Sequence, residues 1–167
     1  PAFAVVEPKS CLFRINRDIR FSKDKSPYKT NMGAYFTPEG KNSKKCGFYL
    51  HVEPGKSFLA GGLWMPEPAV LAKARQELDY NFDVFLKITQ NAAFRKAFPS
   101  VDGVKLKTNP KGYDATNPAI EMLKHKSWIV QQTISDEQVS SPSFDKHFLK
   151  QARTMKPFLD YFNVLFE

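Results

Sequence analysis

The sequence predicts an α+β fold: a mainly antiparallel sheet with helices packed against it, and a helical C-terminus. Two changes of pattern along the 167 residues lead to this prediction. Apolar residues alternate in short runs as far as Trp64, as in strands, and afterwards recur every three or four residues, as in amphipathic helices. The short turn at Pro54-Gly55 favours antiparallel neighbours, because parallel strands need a longer crossover. We expect a single domain over residues 1–167.

Five strands are predicted from alternation and from β-branched or aromatic content. In the first, Phe13, Ile15, Ile19 and Phe21 share one parity. The five ranges are 11–21, 33–37, 47–53, 57–64 and 127–135. The first four of these should be adjacent in the sheet, and residues 104–107 could add a brief extra strand. Gly61-Gly62 is interpreted as a tight turn that lets Trp64 pack.

The helices follow from apolar spacing and from their start signals. A long helix over 66–91 is expected to pack on the sheet through Leu71, Leu78, Phe82 and Phe85. A short helix should cover 92–98, and Asn117-Pro118 should open another that ends near Lys126. The last helix should begin at Ser141-Pro142 and be kinked or broken by Pro157.

Composition excludes several classes of protein. The 42% hydrophobic content and 15 Phe argue against disorder, and no apolar run approaches the ~20 residues that span a bilayer. Cys11 and Cys46 lack metal-site spacing and sit beside apolar residues, so we expect buried free thiols in a cytoplasmic protein. A metal site is not expected either, because the three histidines are scattered. The sequence identifies no cofactor and no oligomeric state.

Positive charge is concentrated near the N-terminus. Residues 14–29 hold six basic and two acidic residues, half of the net charge of +8. Clustered guanidinium and ammonium groups beside a phenol suit a phosphate- or carboxylate-bearing partner, either a small molecule or nucleic acid. The predicted ligand-binding residues are Arg14, Arg17, Arg20, Lys25, Tyr28 and Lys29. A second basic loop is predicted at Lys107, Lys111 and Tyr113.

Three alternatives to small-ligand binding stay open. An enzyme acting on a phosphorylated substrate would use Asp18 or Asp24 as its general base or as a metal ligand, with Arg17, Arg20 and Lys25 stabilising negative charge. A nucleic-acid-binding module would use the same cations along a wider surface, together with Tyr28, Lys107, Lys111 and Tyr113. A structural network would pair each arginine with a carboxylate and bind nothing.

The basic segment also resembles a family signature. It reads Arg14-x-x-Arg17-Asp18-x-Arg20-Phe21-x-x-Asp24-Lys25-x-x-Tyr28, and further matching motifs are Lys29-Thr30-Asn31, Phe48-Tyr49-Leu50-His51, Gly61-Gly62-Leu63-Trp64 and Pro110-Lys111-Gly112-Tyr113. The pattern is similar to a bacterial family of conserved hypothetical proteins, domain of unknown function 2461. The resemblance implies that Arg17, Asp18, Arg20, Lys25 and Tyr28 belong to one characteristic site, and it implies no activity. Family members usually carry an additional helical segment before this region. We expect this chain, which starts without Met, to lack that segment of the full-length protein.

Overall fold

Four strands form one antiparallel sheet in a computed structural model that describes residues 6–21 and 23–167. Residues 1–5 of the expected domain and Ser22 of the basic segment lie outside the described residues. The strands are β1 (Met32–Phe36), β2 (Phe48–Val52), β3 (Phe58–Leu63) and β4 (Trp128–Thr133), adjacent in that order. These four strand predictions, and the antiparallel pairing across Pro54-Gly55, are confirmed.

Within residues 6–21 and 23–167, seven helices accompany the sheet, together with a short C-terminal 3₁₀ turn at Val164–Phe166. They are α1 (Pro8–Cys11), α2 (Pro68–Tyr80), α3 (Phe82–Thr89), α4 (Ala92–Ala97), α5 (Ile120–Leu123), α6 (Asp136–Val139) and α7 (Phe144–Asn163). The predicted α+β class with a helical C-terminus is therefore confirmed. None of the helices within the described ranges is long and apolar enough to span a membrane.

The core lies between one face of the sheet and α7. Side chains from alternate sheet positions, including Leu59, Trp128 and Val130, are buried together with Met155 and Phe158 of α7. Because successive strand residues point to opposite faces, the intervening positions face the other side of the sheet. The register places Tyr49 opposite Ala60 and Ala60 opposite Gln131 on that second face.

The first predicted strand, residues 11–21, is wrong. Cys11 ends α1, and beyond it Leu12 and Asn16 form only isolated bridges, with Ala34 and Tyr28. Alternating apolar residues favour a strand only where one face can be buried. Here they stay exposed, Phe21 to 94%. The brief strand over 104–107 is also wrong, since Lys105 makes only an isolated bridge to His125.

The predicted 66–91 helix is two helices, separated at Asn81. The backbone of Asn81 leaves helical geometry (φ −119°, ψ 34°), and the Tyr161 hydroxyl donates to the carbonyl oxygen of Glu77 at 3.2 Å. Helix α3 packs on α7, the helix with most contact to the sheet, and Leu78 and Phe85 join the same buried core as Leu59. Phe85 is buried there, whereas Phe82 is only half-buried.

Three further features of the helices differ from expectation. Pro157 lies inside an unbroken α7, because burial of the neighbouring Phe158 and Leu159 offsets one missing backbone hydrogen bond. The helix expected after Asn117-Pro118 is confined to α5. Helix α6 was not predicted, although Ser135 and Gln138 form a capping box that the sequence carries.

Candidate functional site

A concavity of about 770 Å³ opens on the second face of the sheet; we call it the sheet pocket. Residues of β2, β3 and β4 line it, and the 41–47 loop and the 64–67 turn complete its walls. The lining is mostly apolar, with aromatic side chains at Tyr49, Phe58 and Trp64. A concave apolar surface with few polar groups is the usual form of a small-molecule site.

Several small residues line the pocket. Gly47, Ala60, Gly61 and Gly62 all line it, and none places a bulky side chain in the opening. A Cβ atom on Gly62 would overlap the carbonyl oxygen of Trp128, and Gly62 also has φ of 135°, which favours glycine. The Gly61-Gly62 pair therefore lies within β3 and is not the predicted tight turn.

Three lysines line the pocket from the 41–47 loop: Lys41, Lys44 and Lys45. The Lys44 ammonium lies 3.8 Å from a Glu67 carboxylate oxygen, and the Lys45 ammonium lies 3.5 Å from Glu39. Both are exposed ion pairs, so their energies are small and their ammonium groups can turn toward a bound anion. The pocket thus combines an apolar interior with a cationic wall.

Tyr35 fixes the lysine loop. Its hydroxyl donates to the Lys45 carbonyl oxygen at 2.9 Å and accepts from the Gly47 N–H at 2.8 Å. Burial, with a smaller contribution from the Cys46 thiol, raises the pKa of Tyr35 to about 12. The phenol therefore stays protonated at neutral pH and keeps its role as donor.

Asn163, at the end of α7, holds the same loop from the other side. Its side-chain oxygen accepts from the Cys46 N–H at 2.8 Å, and its side-chain nitrogen donates to the Cys46 carbonyl oxygen at 3.1 Å. Burial raises the pKa of the Cys46 thiol to about 12, so this residue of the pocket is a thiol and not a thiolate nucleophile. The prediction that Cys11 and Cys46 are buried free thiols is confirmed.

Exposed apolar side chains form the rim. Trp64 is 66% exposed and Met65 is 73% exposed, with a left-handed backbone at φ 43°. The expectation that a tight turn lets Trp64 pack is therefore wrong. Across the pocket, Phe13 meets Tyr49 edge to face with ring centroids 6.1 Å apart. These aromatic surfaces suit a ligand with an apolar body.

The predicted basic segment forms its own ion pairs. Arg17 is paired with Asp24 and also donates to Ser26 Oγ at 3.0 Å. The Arg20 guanidinium donates two hydrogen bonds to the Asp18 carboxylate, at 2.9 and 2.6 Å. Arg20 is the main cause of the lowered pKa of Asp18; for Asp24 the main cause is Ser26. Both carboxyls are ionised at neutral pH, which suits ion pairing better than proton transfer.

The other predicted residues of this segment lie on the surface. Lys25 Nζ donates to the Ile19 carbonyl oxygen at 2.8 Å. Within the described ranges, the Arg14, Tyr28 and Lys29 side chains form no hydrogen bond or ion pair, although the charge of Arg14 helps to lower the pKa of Asp18. None of the predicted ligand-binding residues lines the sheet pocket.

The second predicted basic loop lies elsewhere again. Lys107 and Lys111 are exposed, and Tyr113 packs partly against the core near Arg75. Burial raises the pKa of Tyr113. These three residues do not line the sheet pocket. Over the described part of the chain, no three His, Cys, Asp or Glu side chains converge as metal ligands.

The sequence reasoning missed the residues that build the pocket, including Tyr35, Lys45, Tyr49 and Trp64. Two signals were available. Lys41, Lys44 and Lys45 form a basic run in a loop between two strands, and Tyr49 shares one parity of β2 with His51. What the sequence does not contain is the cross-strand register that places these residues around one opening.

The buried His125 makes the stability of the fold depend on pH. The ring is fully buried and neither ring nitrogen has a hydrogen-bond partner within the described residues. Burial, helped by Lys105, lowers the pKa of His125 to about 4 from 6.5. The unfolded chain binds a proton at His125 more readily than the folded protein does. Lowering the pH from 6.5 toward 4 therefore lowers the free energy of unfolding.

Between pH 7 and pH 4.5 we expect His125 to contribute a loss of about 2 kcal/mol in the free energy of unfolding. Urea unfolding of wild type and His125→Gln at both pH values measures it, because other titrating groups are common to both. His147→Gln, at a half-buried position, is the matched control. An equal loss in wild type and His125→Gln would contradict the assignment.

Comparison with known proteins identifies the family only. No curated protein and no solved structure matches the chain. A family model described as a conserved hypothetical protein, DUF2461, matches residues 1–161. Since this match covers nearly the whole sequence, the chain belongs to the DUF2461 family.

Proposed function

We propose that the protein binds a small molecule with an apolar body and a carboxylate or phosphate group, and that it does so in the sheet pocket. The observation that carries the proposal is the combination of an apolar interior of about 770 Å³ with Lys41, Lys44 and Lys45 on one wall. The volume is within the range of small-molecule sites.

The apolar body is supported by the rim and the floor. Trp64 and Met65 are large apolar side chains held in solvent, which costs free energy unless a partner covers them. The floor carries small residues, Ala60 and the Gly61-Gly62 pair, over which a flat ring or an acyl chain would lie. A ligand seated there would bury the exposed Trp64 face.

The anionic group is supported by the charges around the opening. Three lysines line the opening, against Glu67 in the lining and Glu39 beside Lys45. The first turn of α2 begins beside it at Pro68, and the positive end of the helix dipole adds to the same field. A carboxylate or phosphate placed between Lys44 and Lys45 would replace their weak exposed ion pairs with better-placed ones.

The arginine segment is the second candidate for the anion. Arg20 keeps a side chain that is 75% exposed although it is paired with Asp18, and Arg14 and Lys29 add unpaired positive charge. The segment would bind through charge alone, without an enclosing cavity, and would therefore suit an extended polyanion such as nucleic acid. Binding in the pocket requires a compact ligand with an apolar body, whereas binding at the segment favours an extended polyanion.

A matched pair of dyes separates these possibilities. 8-Anilinonaphthalene-1-sulfonate has an aromatic body with one anionic group, and N-phenyl-1-naphthylamine has the same body without the charge. We expect one molecule of each to bind, the sulfonate about tenfold more tightly, since an added charge contact is worth roughly 1.4 kcal/mol. The rise in dye fluorescence as the dye leaves water reports binding.

Variants locate the charge. The double variant Lys44→Gln/Lys45→Gln should bring the affinity of the sulfonate down to that of the neutral dye. Lys96→Gln/Lys150→Gln, at exposed helix positions, should change nothing. Loss of sulfonate binding in Arg20→Ala but not in the lysine variant would overturn the pocket proposal. Displacement of the dye by a single-stranded oligonucleotide, steeply weakened by salt, would favour the nucleic-acid alternative.

A further inference from the structure

Three side chains form a hydrogen-bonded chain that starts at the sheet pocket: two lie on β2 and the third directly follows it. Tyr49 lines the pocket, and its hydroxyl oxygen lies 3.2 Å from His51 Nδ1. His51 Nε2 lies 3.2 Å from Glu53 Oε2. The three residues are two apart in sequence, so they project from the same face of the strand. The order from the pocket outward is phenol, imidazole, carboxylate.

The contacts of Glu53 determine which ring nitrogen carries the proton. The bond to His51 and a second from Thr30 Oγ1, at 3.0 Å, lower the pKa of Glu53, so the carboxylate is ionised and only accepts. His51 Nε2 must then be the N–H that donates to Glu53. His51 Nδ1 is left as an acceptor, toward the Tyr49 hydroxyl and the Asn31 side-chain nitrogen at 3.3 Å.

In this arrangement the Tyr49 hydroxyl oxygen can still accept a hydrogen bond. Its proton is directed at His51, and within the described residues the oxygen accepts no other hydrogen bond, so its lone pairs can accept a proton from a ligand. Both rings are held in place: His51 stacks on Phe58 with centroids 4.7 Å apart, and Phe13 packs on Tyr49. Positioned acid–base groups of this kind serve proton transfer.

We propose that Tyr49 is a catalytic proton-transfer residue of the sheet pocket, and that His51 and Glu53 act through it as positioning residues. The inference rests on the proposed function and gives that ligand a substrate class: a carboxylic or phosphoric acid with an apolar body and a C–H bond next to a carbonyl group.

The proposed step balances within these groups. Tyr49 Oη takes the proton of the C–H bond while the phenolic proton moves to His51 Nδ1. The electron pair of the broken C–H bond shifts onto the carbonyl oxygen and gives an enolate. Glu53 stabilises the resulting imidazolium, and the lysine wall stabilises the enolate. Return of a proton to the same carbon, or to the oxygen, restores Tyr49 and His51.

Phenylpyruvate is a suitable probe, because it joins a phenyl ring, a carboxylate and an acidic CH₂ group. Calorimetry gives its affinity, and ¹H NMR in D₂O gives the rate at which its CH₂ protons exchange. At saturation, we expect the wild-type protein to exchange them about 10²-fold faster than buffer does, in line with the usual contribution of a general base.

Variants divide the roles. Tyr49→Phe should bind phenylpyruvate with unchanged affinity and exchange it at the buffer rate. His51→Gln and Glu53→Gln should lower the rate at saturation without changing the affinity, a split that a merely structural role would not produce. Tyr80→Phe, at a position 72% exposed, is the matched control and should exchange at the wild-type rate.

A measurement that keeps the Tyr49 ring covers the case in which these variants fold poorly. Labelling all tyrosines with 3-fluorotyrosine makes the phenols more acidic and should move the pH profile of exchange to lower pH. Binding of phenylpyruvate with exchange at the buffer rate, or a Tyr49→Phe protein that exchanges normally, would overturn the relay and leave the binding proposal standing. Absence of binding would instead overturn the proposed function, and the relay with it.

Discussion

Replacing Phe85 with alanine should lower the free energy of unfolding by about 3–5 kcal/mol, the usual cost of removing a buried phenyl ring. Phe85 is 2% exposed, and its ring lies 5.4 to 6.3 Å, between centroids, from those of Phe158, Tyr161 and Phe162. The residue therefore joins α3 to α7, the helix that covers the sheet. Urea unfolding monitored by circular dichroism measures the loss.

Phe82→Ala is the matched control in the same helix. Phe82 is half-buried and stacks on Phe85 at 6.0 Å, so its removal should cost less than half as much. The helical spacing alone treats the two residues as equivalent members of one apolar stripe. Equal losses in the two variants would contradict the difference in burial between Phe82 and Phe85.

Gly62→Ala should destabilise the fold by about 3 kcal/mol, although it adds only one methyl group. The new Cβ would overlap the Trp128 carbonyl oxygen, which is backbone paired within the sheet and cannot move freely. The positive φ of Gly62 adds backbone strain to this overlap. The same displacement would distort the floor of the sheet pocket.

Gly55→Ala separates the two causes. Gly55 has φ of 70°, but an added Cβ there meets no atom within 4 Å, so only backbone strain remains, about 1 kcal/mol. Thermal melts and urea titrations of both variants make the comparison. Similar losses at the two positions would show that strain alone decides, and would contradict the close approach of β3 to β4.

Much of the fold was predictable, because each of β1 to β4 packs alternate side chains against the core. Alternation then has an energetic consequence, and the sequence pattern records it. Residues 12–21 carry the same alternation without a face to bury, and the chain turns back through the bridge between Asn16 and Tyr28. The break at Asn81 was not visible because it depends on contacts with Tyr161, some 80 residues away.

The candidate site was less predictable than the fold. Charge density drew attention to Arg17 and Arg20, but Asp24 and Asp18 already satisfy part of their hydrogen-bonding capacity. The pocket depends on pairing between distant strands, which brings Tyr49 opposite Ala60 and Ala60 opposite Gln131. A count of charges contains no information on that register.

Chemical-shift mapping tests whether the sheet pocket binds the ligand. The measurement is a ¹H–¹⁵N spectrum of the whole chain titrated with 3-phenylpropionate, which has a phenyl ring and one carboxylate. Binding in the pocket should give saturable shifts in β2 and β3, at Trp64 and along residues 41–47. Shifts confined to residues 14–29, with none at Tyr49, Ala60 or Trp64, would contradict it.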